Sequence, residues 1–589
     1  MRNTTMKTKY NIYKVMLLST AFATVSCQEF LSEQLPQGTL SEEQALDSKN
    51  TEKMIVSAYA GLTTIEDINA SFSLWNYDVR SDDAYKGGAN EGDGDVFHKC
   101  ETGNGILPSD WNINGGDGIW QRLYNYISRT NTALALLDEA DLNTFPKKAT
   151  RIAEMKFLRA YGHFQLKRLF GNIPFVMDEN MLTEDYYKIS NTQYTDDEAW
   201  GVIADQLEEA YADLPEVQED KGRPTKAACA ALLAKVYLYK AYRKTEGRNT
   251  FSGTVDRSDL DKVLEYTDPA IYANNSLASD FHNNFRPETE FENGPEALWS
   301  IQYSYNDGSV NGNRNYGCAL MAPNVETKDP SKPTTVGGHD FYKPSRNLVN
   351  AFRTNSEGLP ELEDFNRVNS DPQMHNADPR LFLTVGMPGF PFMFNEDFMQ
   401  EKSWARNANG LYGYNVTLKQ NVDQKFVKEE SYIKKCGWCW ATSMNRVVLR
   451  LADVKLMRAE AFAQLGQDGE AISLVNEIRR RAAASTGMMD GYPRKYGVRF
   501  KCSEYTDNSN ALAKVKFERR LELAMEAERF FDLVRWGDAK AVLDKFYAGE
   551  TNTTIYQNSS FVENKLEYMP IPFNEMQNAK GLYKQNPGY

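Results

Sequence analysis

Histidine and cysteine are scarce in this 589-residue chain, at 5 and 7. His98, His163, His282, His339 and His375 never fall at the two-histidine helical spacing of a zinc protease. No nucleophile elbow, phosphate-cradling Gly/Lys loop or dinucleotide fingerprint stands out. Zinc-protease, serine-hydrolase, phosphate-loop and dinucleotide-dependent chemistries are therefore without their motifs. Basic excess is absent too. The 67 Lys and Arg face 81 Asp and Glu, a formal net charge of -14, which repels a phosphate backbone and excludes nucleic acid as a partner. The same charge disfavours other polyanions, so neutral ligands suit this surface better. Carboxylates are so abundant that pairs such as Asp82 with Asp83 arise without design, and their number does not argue for glycoside hydrolysis.

Long apolar runs are missing as well. The run from Val15 to Ala23 is too short to span a bilayer, but it follows Arg2, Lys7, Lys9 and Lys14 and leads through Thr24-Val25-Ser26 to Cys27. That order is a secretory signal ending in a bacterial lipobox, although Thr24 stands where a lipobox usually carries Leu. The expectation is removal of residues 1–26 and acylation of Cys27. The other cysteines, Cys100, Cys229, Cys318, Cys436, Cys439 and Cys502, are even in number, which permits disulfides without fixing a connectivity. For Cys436-Gly437-Trp438-Cys439 a redox motif, a small disulfide loop and half a zinc site all stay open.

What the chain does have is material for a large core, with 41% hydrophobic and 12% aromatic residues. Apolar residues recur at three and four positions over Ser41–Leu62, Trp120–Ala140, Lys147–Phe170, Asp196–Leu214, Thr225–Lys244, Val447–Leu465, Asp468–Ala483 and Ala511–Val534. The fold class this predicts is mainly α. Short polar loops join consecutive helices, and small residues such as Ala160, Ala231 and Ala234 allow close approach, as in about four tetratricopeptide-like hairpins. Trp120, Trp200, Trp536 and His163 sit in these helical patterns and read as core. Between about Phe251 and Met444, Gly, Pro, Asn, Asp and aromatics dominate, and Ser81–Gly118 is similar. Loops of this length are usually functional, and the two stretches are expected to meet on one side of the helices. The predicted plan is one domain over 27–589, with a helical scaffold over about 40–245 and 445–589. An irregular lobe with short strands would take about 250–444 together with the loop 81–118.

A series of motifs, in order along nearly the whole chain, resembles the SusD/RagB family of glycan-binding lipoproteins. They are Cys27-Gln28-Glu29-Phe30-Leu31; Trp120-Gln121-Arg122-Leu123-Tyr124; Glu154-Met155-Lys156-Phe157-Leu158-Arg159-Ala160-Tyr161, running to Phe170-Gly171-Asn172-Ile173-Pro174; and Gly222-Arg223-Pro224-Thr225-Lys226. Asp378-Pro379-Arg380-Leu381 follows, then Leu451-Ala452-Asp453-Val454-Lys455, Glu518-Arg519-Arg520-Leu521-Glu522-Leu523, Phe531-Asp532-Leu533-Val534-Arg535-Trp536 and the ending Gln585-Asn586-Pro587-Gly588-Tyr589. The resemblance implies a non-catalytic protein, lipid-anchored at the outer membrane and facing the cell exterior. It also implies a partner, a SusC-like TonB-dependent transporter that the protein covers like a lid. Most motif residues read as scaffold. Arg159, Arg223, Arg479, Arg519, Arg520 and Arg535, set among Glu154, Asp453, Glu460, Glu518, Glu522 and Asp532, are expected to pair between packed helices.

Sugar recognition needs flat apolar faces for the ring and planar polar groups for its hydroxyls. The irregular segments supply both: Asp83 and Tyr85 in the aspartate-rich loop, Trp111 just beyond it, Tyr316 in an Asn/Tyr-rich stretch, and Trp404, Arg406 and Tyr412 further on. The rings are the expected stacking platforms and Arg406 the hydroxyl donor. Trp438 and Trp440 are weaker candidates of the same kind. Asn90-Glu91-Gly92-Asp93-Gly94-Asp95 offers oxygens to calcium but lacks a closing Glu, and a solvated acidic loop is the plainer reading. No other cofactor is expected. The main alternative is an envelope adaptor that binds proteins or peptides on the concave face of its hairpins. A polysaccharide-degrading enzyme is the third reading.

Overall fold

The computed structural model describes residues 48–65, 78–111, 118–177, 183–286, 288, 290–304, 320–323, 338–419, 433–436, 439–551 and 553–589. The signal segment, Cys27 and Tyr316 lie outside them, as do the side chains of Trp111, Cys436, Cys439, Trp438 and Trp440.

Two runs of helices carry the fold. The first consists of α1 (Ser48–Ile65), α2 (Ile119–Glu139), α3 (Lys148–Phe170), α4 (Asp196–Asp213), α5 (Lys226–Ala241) and α6 (Arg257–Tyr266). Each packs on the one before it, as in a stack of helical hairpins. The second run is α7 (Leu451–Gln464), α8 (Asp468–Ala484), α9 (Ala511–Glu522), α10 (Arg529–Trp536) and α11 (Ala539–Gly549). Here α7, α8 and α9 pack mutually, while α7 also meets α5 and α6, so the two runs share a core. The starts are chemically marked. Thr195 and Glu198 exchange bonds as a capping box on α4, and Thr225 accepts from Ala228 N to cap α5. Helix α3 sits in the middle, buried almost all round, and even its Arg151, Lys167 and Arg168 are inside.

Several boundaries differ from the sequence expectation. Val447 to Arg450 do not begin a helix; Arg446–Arg450 pairs antiparallel with Ala297–Ile301 before α7 starts at Leu451. Trp299 in that second strand stands edge-on to Phe157 and Tyr161 of α3, at 5.0 and 4.9 Å, and donates to Gly222 O. Ala511–Val534 is not one helix. The chain stops α9 at Glu522 and restarts at Arg529, with Met525 and Ala527 at φ 61° and 68°. No Gly or Pro marks this break. Tertiary bonds hold it instead: Ala527 N donates to Asp78, and Glu526 turns to Arg450 and Lys419. Arg257–Tyr266 extends the helical scaffold into the stretch read as irregular.

The expected arginine–carboxylate pairing is extensive. Arg223 bonds Glu154 at 2.7 Å, Arg479 bonds Glu518 at 3.0 Å, and Arg519 joins Asp453 to Asp532. Arg535 holds Glu460 and Asp532. Arg159 differs, finding the amides of Gln206 and Asn131. Burial raises the Glu460 carboxyl, but Arg535, Arg519 and the Tyr242 hydroxyl outweigh it and bring it down to about 2. His163 is the core histidine expected: Val176 N donates to its Nε2, and burial pushes its pKa down to about 3. The last residues of the sequence close on the first hairpins. Asn191 exchanges two 2.9 Å bonds with the Lys584 backbone, and Asn586 Nδ2 donates to Phe170 O and Met569 O.

Candidate functional site

The two irregular stretches do meet. Ala84–Gly87 pairs antiparallel with Phe341–Pro344, with Tyr85 opposite Lys343. Ser345 locks the junction: its N donates to Asp83 O, its hydroxyl donates to Asp82 O, and the same hydroxyl accepts from Leu348 N at the start of a short helix. Gly87 has φ +82°, and a Cβ there would lie 2.3 Å from Asp340 O, so only glycine lets the two strands approach.

Below this junction, the aspartate-rich loop is tied into the helical scaffold. Asp82 accepts from Arg529 Nε and pairs with Arg520 Nη2, both at 2.9 Å, while Asp83 takes Arg520 Nε at 2.8 Å. Burial raises the Asp83 pKa, with help from neighbouring Asp82; burial acts on Asp82 too, but Arg520 and Arg529 bring it below its ordinary value. Asp78, buried beside Asp83 and bonded by the Tyr342 hydroxyl and Ala527 N, is raised by that burial to about 7.

Above the junction, the loop closes around an ammonium. Lys86 Nζ donates to Asn90 O at 2.8 Å and Asp93 O at 2.5 Å and lies 4.9 Å from the centre of the Tyr412 ring. Burial brings its pKa down to about 8. Asn90 and Asp93, two of the residues whose oxygens suggested a calcium loop, direct their carbonyls at an internal lysine. Among the described residues no cluster of His, Cys, Asp and Glu could hold a metal. Arg406 crosses the rim, bonding Asp93 Oδ2 at 3.1 Å and His339 O at 3.0 Å through Nη1, while its backbone N donates to Asp340.

The structure corrects the placement of most candidate site residues. Asp83 and Tyr412 are 0% exposed and Tyr85 6%; the Tyr85 hydroxyl donates to Glu550 and accepts from Arg346 N. Trp404 is 8% exposed and packs 4.7 Å from Phe398 and 5.8 Å from Phe392. These rings are plugs. A lobe without long helices must build small cores of its own, and Phe392, Phe398, Trp404, Val416 and Leu418 form one. Trp120, Trp200, Trp299, Trp404 and Trp536, the tryptophans whose side chains are described, are all buried. Arg406 keeps its side chain 24% exposed on the rim as a donor. Sequence reasoning missed Lys86, Arg529 and Ser345, which organise the platform. Their one signal was polarity without an evident partner inside a Gly/Asp-rich loop or an Arg-rich helix.

What this arrangement can do is bind rather than cut. The buried carboxylates nearest the platform already hold internal partners: Asp82 and Asp83 pair with arginines, Asp78 accepts from Tyr342, Asp340 pairs with Lys343, and Glu101 accepts from Tyr556 and Lys86 N. Among the described residues no helix is long and apolar enough to cross a membrane.

The family model described as "SusD family" matches residues 295–589, and one described as "Starch-binding associating with outer membrane" matches 39–238. The chain is 24% identical to SusD-like protein P25 of Formosa agariphila, covering 97% of each. It is 24% identical to the starch-binding protein SusD of Bacteroides thetaiotaomicron, over 77% of this chain and 75% of that one. Its fold is similar to that of surface glycan-binding protein A from Bacteroides thetaiotaomicron in complex with laminarihexaose, at TM-score 0.64 and 20% identity, covering 91% of this chain and 99% of that one. With one of its family models spanning half the sequence, from Pro295 to the last residue, and helical hairpins beneath a loop-built platform, the chain belongs to the SusD family, whose members bind carbohydrate rather than cleave it and associate with the outer membrane.

Proposed function

We propose that this protein is a surface lipoprotein, anchored through acylated Cys27, that captures oligo- or polysaccharide outside the cell and delivers it to a SusC-like TonB-dependent transporter. The observation that carries the reading is the rigid seat of the platform. Ion pairs from Arg520 and Arg529 fix the aspartate-rich loop, and its Ala84–Gly87 strand fixes the 338–344 segment in turn. A preorganised polar surface loses little freedom when it binds a flexible glycan. Relatives named for binding starch and laminarin support carbohydrate as the ligand class, and the chain's acidity favours neutral polymers. With Tyr85, Trp404 and Tyr412 in the interior, the proposed contacts are Arg406 as donor with Trp111 and Tyr316 as stacking rings.

Affinity electrophoresis in starch and in laminarin tests this. Retarded migration without released sugar is the expected result. Arg406→Ala combined with Trp111→Ala should weaken retardation about tenfold or more, since stacking on one ring is worth about 0.5–1.5 kcal/mol and one charged hydrogen bond about 1.5–3 kcal/mol. Full retardation by the double variant would remove this site. Membrane-bound wild type alongside released Cys27→Ala, with the transporter co-purifying only with the former, is the outcome expected for the anchor and partner.

A further inference from the structure

An open cleft on the helical scaffold shares no residue with the platform. It offers about 240 Å³ between the loop joining α4 to α5, the turn at 274–275 beyond α6, and residues 293–300. Enclosed ligand pockets run from about 300 Å³ upward, so an open cleft of this size suits one unit of a chain whose remainder stays in solvent. Its walls are set before anything binds. The Trp299 indole donates to Gly222 O at 2.9 Å, Gln218 Nε2 donates to Glu154 Oε1 and Pro224 O, and the backbone N groups of Lys226 and Ser276 donate to Pro215 O and Pro295 O. The wall is also electrically balanced. Arg223 is held by Glu52, Glu154 and Asp220, and the other charges on the lining, Glu216 and Lys221, are of opposite sign.

What this cleft presents to solvent is amide. Gln218, Asn274, Asn275 and Asn293 all line it. Asn293 exchanges bonds of 3.0 and 2.9 Å with Gln302, but Gln218 Oε1, Asn275 Oδ1 and the whole side-chain amide of Asn274 have no partner among the described residues. Asn274 is exposed and Gln218 and Asn275 are half-buried, so a ligand can reach them. Val217, 70% exposed, and Pro295 add apolar surface beside them. A primary amide sets an acceptor beside two donors, and neighbouring hydroxyls on a sugar ring, each donor and acceptor at once, can satisfy both. An anionic ligand would meet as many carboxylates as cations here, and a purely apolar one would strand the amides. A peptide is the rival, but its donors and acceptors are spread along a strand at about 3.3 Å per residue instead of adjoining on one ring.

We propose that this amide-lined cleft is a secondary glycan-binding site, which takes one neutral sugar unit and strengthens the hold on long polymers by engaging them at a second point. The choice of sugar rests on the glycan-capture reading; the cleft and its open amides do not. Saturation-transfer NMR with maltotriose and laminaritriose tests it on the whole protein carrying Arg406→Ala and Trp111→Ala, which disable the platform. At least one trisaccharide should still bind. Adding Asn274→Ala and Asn275→Ala should weaken that binding about fivefold or more, as for the loss of one hydrogen bond or two, and Val217→Arg, added instead, should weaken it by obstructing the rim. If starch or laminarin retards wild type but neither trisaccharide binds the platform variant, or if no cleft change weakens the binding, this inference falls alone. Absence of both retardation and trisaccharide binding removes the capture reading with it. Trisaccharide binding that depends on the cleft, without polymer retardation, keeps the cleft and removes the capture reading. Tetra-alanine binding in place of either sugar, weakened by the same changes, makes this a peptide site and overturns the proposal.

Discussion

Glu522→Gln tests what the buried charges contribute. Five cations, Arg380, Arg450, Arg479, Arg481 and Lys419, interlock with five carboxylates, Glu296, Asp378, Glu518, Glu522 and Glu526, so the cluster is neutral. Glu522 is its hub, bonding Arg450 at 2.6 Å, Arg380 at 2.8 Å and Arg481. Glutamine keeps the shape, removes one negative charge and leaves a net positive cluster that is buried except at Glu526, whose side chain is 17% exposed. Removing one partner of a buried pair costs about 3–5 kcal/mol, a large share of the roughly 5–15 kcal/mol typical of folded domains. Urea unfolding followed by circular dichroism should show that loss. The double variant Glu522→Gln with Arg481→Met restores neutrality, four against four. It should lose at least about 1 kcal/mol less than the two single losses added together. The effect should also depend on pH. Burial raises the Glu522 pKa, but Arg481, Arg450 and Arg380 together outweigh it and hold it below the ordinary carboxylate range. Its stabilisation is therefore complete above about pH 4.3, the unfolded value, and fades as pH falls below that, so wild type and variant should converge in acid. A loss under about 1 kcal/mol for Glu522→Gln at pH 7, or strict additivity in the double variant, would refute the reasoning.

Asp78 predicts the opposite pH trend. With its pKa raised to about 7, its folded state keeps a proton that the unfolded chain gives up near 3.8, so its contribution falls as pH climbs between those values. About three pH units correspond to at most about 4 kcal/mol; Asp78→Asn should remove this decline, seen as urea midpoints that differ less between pH 5 and pH 8 than those of wild type. Gly87→Ala puts a Cβ against Asp340 O at positive φ and should cost more than about 1–2 kcal/mol. It should also loosen amide-exchange protection in 84–87 and 341–344, and unchanged protection there would contradict the strand junction.

Helices were legible wherever a stripe of apolar residues faces one neighbour. Expected Asp196–Leu214 and Asp468–Ala483 match α4 and α8 to within a residue. Local pattern failed where distant partners decide. Val447 and Leu449 become strand because Trp299 and its neighbours offer a ladder, and α9 ends at Glu522 because Arg450 and Asp78 draw the following residues aside. The scaffold arginines could be read because a guanidinium inside a helix needs a carboxylate, and few other arrangements satisfy it. The site was less legible. A tryptophan in a loop looks the same whether it faces a sugar or, like Trp404, plugs a cluster of phenylalanines. Nothing in the local sequence around Lys86 marks the Asn90 and Asp93 carbonyls that enclose its ammonium.

The clasp between the tail and the early helices bears on the order of events in the cell. Residues near 170 and 191 find their partners close to 400 positions later, at Lys584 and Asn586. Such distant closures are slow and come after local structure. Until residues 584–586 have been made and have docked, Asn191 and the Phe170 carbonyl lack these bonds, so the opening hairpins are completed late in folding.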